Sequence, residues 1–383
     1  MSVNLPNSTQ IRVAFWNLQN LFDIEPSPIA SELGVSAISG WDRRALEARL
    51  ETIATSIRGM FGGDGPELIG LAELENERVG QLLLTAIGRD DYVLLTAGGS
   101  QFPATGTALI CSKRIFETDS AYVRGHLVHL RFPTADILEV RLKLVEADTE
   151  LTVLVNHWPS RREPNSSAFR QTIASYAANL VDRYLRMNRR EYLALADTER
   201  SRYLLQERWN RNLLLMGSFN DDPWDRSLSE ILNAGYRLQA TQQSEPIANK
   251  ALLSWRAYAA RRPQLFNPTW SLLGLPDQGT CVNPIEPGRL SVFDQMVLSR
   301  GLIAGKSGLK VMENERRVPH LECLSSNAMT DDCGYPISFN SETCEGFSDR
   351  LPLGLTLEMT TLSSFDTAVL STRQGVNLSG ESA

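Results

Sequence analysis

Several short polar stretches in this chain close apolar runs, and each carries side chains able to act on a charged ligand. Asn17 ends Ile11–Trp16 and is followed by Asn20 and Asp23, amides and carboxylates that either cap a turn or point into a site. Glu73 and Glu75 end the next apolar run, and strand alternation would set both carboxylates on one face, sharing a cation or meeting water. His157 stands among Asn156, Trp158 and Arg161, and imidazole beside guanidinium suits phosphate oxygens because both donate hydrogen bonds. Trp158, Arg161 and Arg162 would then form a rim. Gly217-Ser218-Phe219-Asn220-Asp221-Asp222-Pro223 follows the most apolar run, although its composition also suits a tight turn. Asp294 lies inside an apolar run and needs a partner, since an unpaired buried carboxylate is costly. Ser348-Asp349-Arg350 enters the last run.

These side chains need a scaffold of strands. Short β-branched runs predict strands at Ile11–Trp16, Leu68–Leu74, Tyr92–Thr96, Thr107–Cys111, Ala121–Phe132, Leu138–Val145, Leu151–Asn156, Leu213–Met216, Val292–Leu298 and Leu353–Glu358. Helical spacing appears twice: at Leu46, Leu50, Ile53, Ile57 and Met60, stopped by Gly62-Gly63, and from Phe169 to Tyr184, with Ser166 or Ser167 as the cap. Strands mixed with amphipathic helices predict a layered α/β sandwich. No repeat or flexible linker divides the chain, so one domain over 1–383 is expected, its core about 11–359. Insertions are expected near 186–212, 244–268 and 299–347. The first two mix arginines with aromatics (Tyr192, Tyr203 and Trp209; then Trp255, Arg256, Tyr258, Arg261 and Arg262). Such a mixture reads as a solvated excursion or as a nucleic-acid-binding arm.

The composition narrows the class. The 383 residues carry a net charge of −7, which excludes a surface that is basic throughout but leaves room for a local basic groove. No apolar run approaches the ~20 residues of a membrane helix, and Met1 to Gln10 shows no secretory pattern, so a soluble cytoplasmic protein is expected. The five cysteines are odd in number and widely spaced, which favours free thiols. Cys333 and Cys344 with His320 lack the CxxC spacing of a zinc knuckle. The residues after Thr372 are polar and expected to fray.

Taken in order, the clusters say more than any one alone. Phe15-Trp16-Asn17-Leu18-Gln19-Asn20-Leu21-Phe22-Asp23, Glu73-Leu74-Glu75-Asn76, Asn156-His157-Trp158-Pro159-Ser160-Arg161, Phe219-Asn220-Asp221-Asp222-Pro223 and Ser348-Asp349 occur in one succession. With Asn267-Pro268-Thr269-Trp270, Gly279-Thr280 and Phe293-Asp294-Gln295, the chain resembles a bacterial, nuclease-like branch of the endonuclease/exonuclease/phosphatase superfamily. The resemblance spans roughly residues 11–359. It implies a deoxyribonuclease I-like α/β fold: a four-layer sandwich of two packed mixed β-sheets flanked by helices. It also implies Mg²⁺, with Mn²⁺ as the alternative, held by Glu73 with Asn17 and Asp349. His157 and Asn220 would bind the scissile phosphate, Asn17, Trp158 and Arg161 would contact substrate, and Asp294 would orient the residue after Asp349. The implied reaction is in-line attack of water on a phosphodiester or phosphomonoester, and the implied partner is DNA or RNA.

Two positions depart from the resembled pattern. Ser218 stands where Gly-Asp-x-Asn places an aspartate, and Arg350 where Ser-Asp-His places a histidine. Serine cannot take a proton at neutral pH, and losing a general base costs about 10² to 10⁴ in rate. Arg350 keeps a phosphate-matching fork but exchanges no proton. The resemblance therefore implies a metal-dependent phosphodiesterase, and within that class a nuclease, slowed at Ser218 and Arg350. The alternative is an inactive member serving as a nucleic-acid- or protein-binding subunit. Asp294 and Arg350 are expected to form an ion pair turned towards the phosphate. Asp221 or Asp222 is the other candidate to replace the missing aspartate.

Overall fold

The computed structural model describes residues 10–25, 39–98, 106–128, 136–247, 252–273, 279–286 and 288–360. The predicted strands all form, and β1 (Gln10–Leu21) shows how they are used. Its Ile11, Val13 and Phe15 face one core, while Ala14, Trp16 and Leu18 face another, so the strand is apolar on both sides.

Two mixed sheets result. The first has the order β14 (Leu309–Val311), β16 (Leu353–Met359), β1, β2 (Leu68–Leu74), β4 (Gly106–Ser112), β3 (Tyr92–Thr96), with β15 (Glu322–Cys323) also on β16. The second runs β5 (Phe116–His126), β6 (Ile137–Leu144), β7 (Glu150–His157), β8 (Asn212–Ser218), β13 (Asp294–Leu298), β10 (Leu265–Phe266), β9 (Ala234–Gly235). A small hairpin joins β11 (Cys281–Val282) to β12 (Leu290–Ser291). Leu138, Val140, Val153, Val155, Leu214 and Met216 meet the inward residues of β1 and β16 to form the central core. Strand β5 ends at His126, short of the expected Phe132, with Leu127 and Val128 already outside it; residues 129–132 and both polar chain ends lie outside the described residues.

Helices cover the outer faces, completing four layers. The first helix, α1 (Arg43–Gly59), starts where Asp42 accepts from Ala45 N and lays Leu46, Leu50, Ile53 and Ile57 on the first sheet. It ends before Gly62, in a tight turn that sets Phe61 and Gly62 left-handed. A helix absent from the sequence reading, α2 (Glu77–Ile87), packs beside it, capped by Asn76 and closed by left-handed Gly88. Its Val79, Leu83 and Ile87 have helical spacing, and Asn76, which closes the Glu73–Asn76 motif, doubles as its cap. On the second sheet, α3 (Ser166–Leu185) buries Ile173, Ala177, Leu180 and Val181. Asn165, not Ser166 or Ser167, is its cap residue, and no side chain bonds there.

The insertions resolve differently from one another. Helices α4 (Arg189–Leu193), α5 (Glu199–Trp209) and α6 (Trp255–Ala259) build a private core of Tyr192, Leu205, Trp209, Ile247 and Tyr258. Tyr192 stacks on Tyr258 at 4.2 Å, and Arg186 lies over the same ring at 5.5 Å. Arg261 donates to Glu245 O at 2.7 Å and Arg262 to Ile231 O. Tyr192, Trp209, Tyr258, Arg186, Arg261 and Arg262 thus hold the excursion together. The stretch 299–347 is only partly an insertion, since β14 and β15 join the first sheet.

Candidate functional site

Strand register gathers the polar clusters at one end of the sandwich. His157 at the end of β7 pairs with Ser218 at the end of β8, and Ser218 lies opposite Asp294 on β13. Gly217 is required beside them, because a Cβ there would sit 2.2 Å from Asn156 O. Across the core, Asn17 on β1 pairs with Ala72 on β2, just before both ladders around Glu73 shift register. Gln19, Asn20, Glu73 and Asn220 all have positive φ, between 50° and 61°. Non-glycine residues rarely hold that conformation, and its concentration here marks a backbone shaped by its side chains' positions.

Glu73 and Glu75 both line one cavity, as the alternation predicts, but the bulge at Glu73 gives them different partners. Glu73 accepts from Asn17 Nδ2 at 2.7 Å and Asn20 N at 2.9 Å, and lies 3.4 Å from His157 Nε2. Glu75 instead accepts from Asp23 N at 2.6 Å, in a cluster where Asp23 also meets Arg78 and Asn76. Burial alone would raise the Glu73 carboxyl, but His157, Arg350 and Asn17 outweigh it and push it down to about 2. Asp349 moves the other way. Half of its side chain is accessible, yet the surrounding protein, with Glu73 and Asp294, pushes it up to about 6 against the pull of Arg350 and Arg49.

The two departures from the expected pattern meet at Asp294. Ser218 is buried; its Oγ donates to Asp294 Oδ1 and accepts from Asn17 Nδ2 at 2.9 Å. The hydroxyl proton is committed, so Ser218 has no base function. Arg350 Nη1 stands 3.5 Å from Asp294 Oδ2, and Nη2 donates to Asn220 Oδ1 at 3.1 Å. The expected Asp294–Arg350 pair forms, as an ionic contact rather than a hydrogen bond. Burial raises the Asp294 carboxyl, while Arg350, Ser218 and Thr280 oppose the rise.

Other residues land elsewhere than expected. The Trp158 side chain is buried, packed edge-on to Phe219 at 4.8 Å, and donates to Asn156 Oδ1. Its side chain is core, although Trp158 also lines the cavity beside His157. Arg161 is spent on Asn220 O at 3.0 Å, on Asp222 and on Asp225, so it braces the turn instead of facing a ligand. Arg162 lines the cavity in its place. Asp221 is paired with Arg170 at 2.7 Å and Ser227 at 2.6 Å, and Asp222 accepts from Val292 N. Neither replaces the missing aspartate. Asn220 Nδ2 donates to Trp158 O at 2.7 Å, which leaves its second N–H to spend.

Three residues take supporting roles that no local pattern announces, although Gln19 and Thr280 lie inside the motif stretches. Gln19 Oε1 accepts from both Asp349 N at 3.0 Å and Phe339 N at 3.1 Å, tying the end of β1 to the loop before β16. Thr280 Oγ1 accepts from Phe293 N and Asp294 N, both at 3.1 Å. Arg49, inward on α1, donates to Leu18 O at 2.5 Å and lies 4.6 Å from the Phe339 ring. Burial lowers it to about 9 while Asp349 and Glu73 hold its charge.

These groups surround a cavity of about 660 Å³, walled by Glu73, His157, Asn220, Phe293, Asp349 and Arg350 among others. Asn17 turns its amide nitrogen to Glu73 and Ser218, while its oxygen accepts from Gln19 N and keeps a second lone pair. An ionised Glu73 beside Asp349, whose carboxyl it helps to raise, suits one hydrated Mg²⁺, which keeps most of its waters and takes one or two protein carboxylates. Among the described residues no group of three His, Cys, Asp or Glu side chains is placed to hold a metal, which also disposes of a cysteine knuckle. All five cysteines are free thiols.

Residues 12–359 match the Endonuclease/Exonuclease/phosphatase family. The chain belongs to that family. Members of the endonuclease/exonuclease/phosphatase superfamily are hydrolases of phosphoester bonds. A family protein from Bacteroides thetaiotaomicron shares the fold at 13% identity and a TM-score of 0.52, over 93% of this chain and 100% of that one. The human Nocturnin catalytic domain, solved with a bound sulfate anion, does so at 16% identity and a TM-score of 0.50, over 92% and 95%. No curated protein matches the sequence. No helix among the described residues is long and apolar enough to cross a membrane.

Proposed function

We propose that this chain is a phosphoesterase of the endonuclease/exonuclease/phosphatase type whose hydrolytic step is slowed by its own substitutions. The convergence of Glu73, His157, Asn220, Asp349 and Arg350 on one cavity carries this reading. His157, Asn220 and Arg350 are donors that would hold phosphoryl oxygens and offset the charge that grows as water attacks in line. A Mg²⁺ at Glu73 and Asp349, with Mn²⁺ as its alternative, would supply Lewis-acid stabilisation of a phosphoryl oxygen. Asp294 fixes Arg350 but cannot reach past Ser218 as a base, since Ser218 bonds it.

The substrate class stays at phosphoester. A nuclease acting on DNA or RNA is the finer reading; of the residues that favoured it, Trp158 and Tyr258 have buried side chains and Arg161, Arg261 and Arg262 donate within the protein, while Arg162 lines the cavity. The second reading, a silent binding subunit for nucleic acid or protein, is favoured by the committed Ser218 proton. The deciding experiment measures hydrolysis of p-nitrophenyl phosphate, bis-p-nitrophenyl phosphate, and single- and double-stranded DNA and RNA, with Mg²⁺ or Mn²⁺. Ser218→Asp is expected to raise the rate about 10²- to 10⁴-fold on one of them. No gain on any would favour the silent subunit.

A further inference from the structure

Arg350 has five N–H donors, and only Nη2 makes a hydrogen bond, to Asn220 Oδ1. Its other polar contacts are ionic and long: Nη1 to Asp294 at 3.5 Å and Nε to Asp349 at 3.7 Å. Nη1 and Asp294 Oδ2 are both buried without a hydrogen-bond partner. Leaving charged groups so is expensive unless something else engages the fork.

The fork is also held in place. Arg350 O accepts from Trp16 Nε1 at 3.0 Å, its N–H donates to Ser348 Oγ at 3.2 Å, and its backbone bridges to Cys281. The guanidinium lies 5.9 Å from the Phe293 ring centre, with 11% of the side chain exposed, and lines the cavity with His157 and Asn220. A fixed fork with unspent donors at a cavity suits a tetrahedral anion.

Charge points the same way. Against the resembled Gly-Asp-x-Asn and Ser-Asp-His patterns, Ser218 carries one negative charge fewer and Arg350 one positive charge more than a neutral histidine. Together they shift the site by the charge of one divalent cation. Arg350 and the buried Arg49 now stand against Glu73, Asp294 and Asp349 as fixed cations.

We propose that this cavity captures a phosphate monoester or diester through Arg350, His157 and Asn220 without needing a divalent cation. This rests on the phosphoester reading above and adds that anion capture has been separated from the metal. The test is calorimetric titration of the full chain with inorganic phosphate and with dimethyl phosphate, in EDTA and in Mg²⁺. The wild-type affinity for at least one probe is expected to differ by less than about threefold between the two conditions. Arg350→His should weaken binding in EDTA by about tenfold or more, and Ser218→Asp combined with Arg350→His should bind only with Mg²⁺. Wild-type binding that appears only with Mg²⁺ would overturn the proposal and leave the phosphoester reading standing. Binding in neither condition would overturn both. Unchanged affinity of a folded Arg350→His in EDTA would also end the proposal, and if that variant fails to fold, the wild-type comparison decides alone.

Discussion

Asp294 is almost wholly buried, and its charge is answered by Ser218 on one oxygen and Arg350 near the other. Removing one member of such a pair leaves the other without compensation, typically at about 3–5 kcal/mol. Arg350→Ala is therefore expected to lower unfolding stability by about that amount. Arg350→His should cost less, because the imidazole can still donate towards Asp294. Urea unfolding of both variants checks the order, and equal losses would show that bulk rather than charge matters at this position. The site is a case of residues acting through neighbours: Gln19 and Thr280 touch backbone nitrogens of Asp349 and Asp294 and so aim those carboxylates.

At the scale of elements, the link between α2 and β3 depends on Asp91. Arg89 donates to it at 2.9 Å, and Ser112 on β4 donates at 2.5 Å. Burial opposes ionisation, but the Arg89 and Ser112 bonds outweigh it and lower the carboxyl from 3.8 to about 2. A depressed folded-state value means the stabilisation is complete above the unfolded value, near 4, and is lost as pH falls towards 2. Asp91→Asn should thus cost on the order of 1 kcal/mol at neutral pH, after allowing for solvent screening. The gap to wild type should close as pH falls through that window. A gap that persists at the acid end, measured by thermal unfolding across pH, would assign the effect to geometry instead.

For the whole molecule, the two ends of the second sheet serve different purposes. Helix α5 leads into β8 at Asn212, whereas Ser218 ends that strand, about 20 Å further on at ~3.3 Å per residue. The helical excursion is therefore remote from the cavity. Replacing Arg256 and Arg262 together by Ala is expected to leave DNA affinity within about twofold, with its salt dependence unchanged. A steep loss of binding, with a shallower salt slope, would restore the excursion as a nucleic-acid contact. Arg162→Ala at the cavity is the contrasting variant, expected to weaken binding and reduce the slope by about one phosphate contact.

The sequence by itself determined the longer strands and the order of the polar clusters, while β9 to β12, β14 and β15 are too short to show a period. Strand periodicity is local, and apolar runs such as Leu68–Leu74 and Leu213–Met216 have few other ways to be buried. It also determined that Asp294 needs a partner, because the cost of a buried carboxylate does not depend on fold. Tertiary structure alone decided which polar residues face the cavity. Trp158 and Arg161 stand within four residues of His157, but strand pairing and turn geometry send them to core and brace. The left-handed bulge at Glu73 gave it partners different from those of Glu75. Arg49 and Gln19 gained their roles from contacts with Phe339, more than 280 residues away along the chain. No local pattern encodes such contacts, because they exist only once the two sheets and their loops have packed.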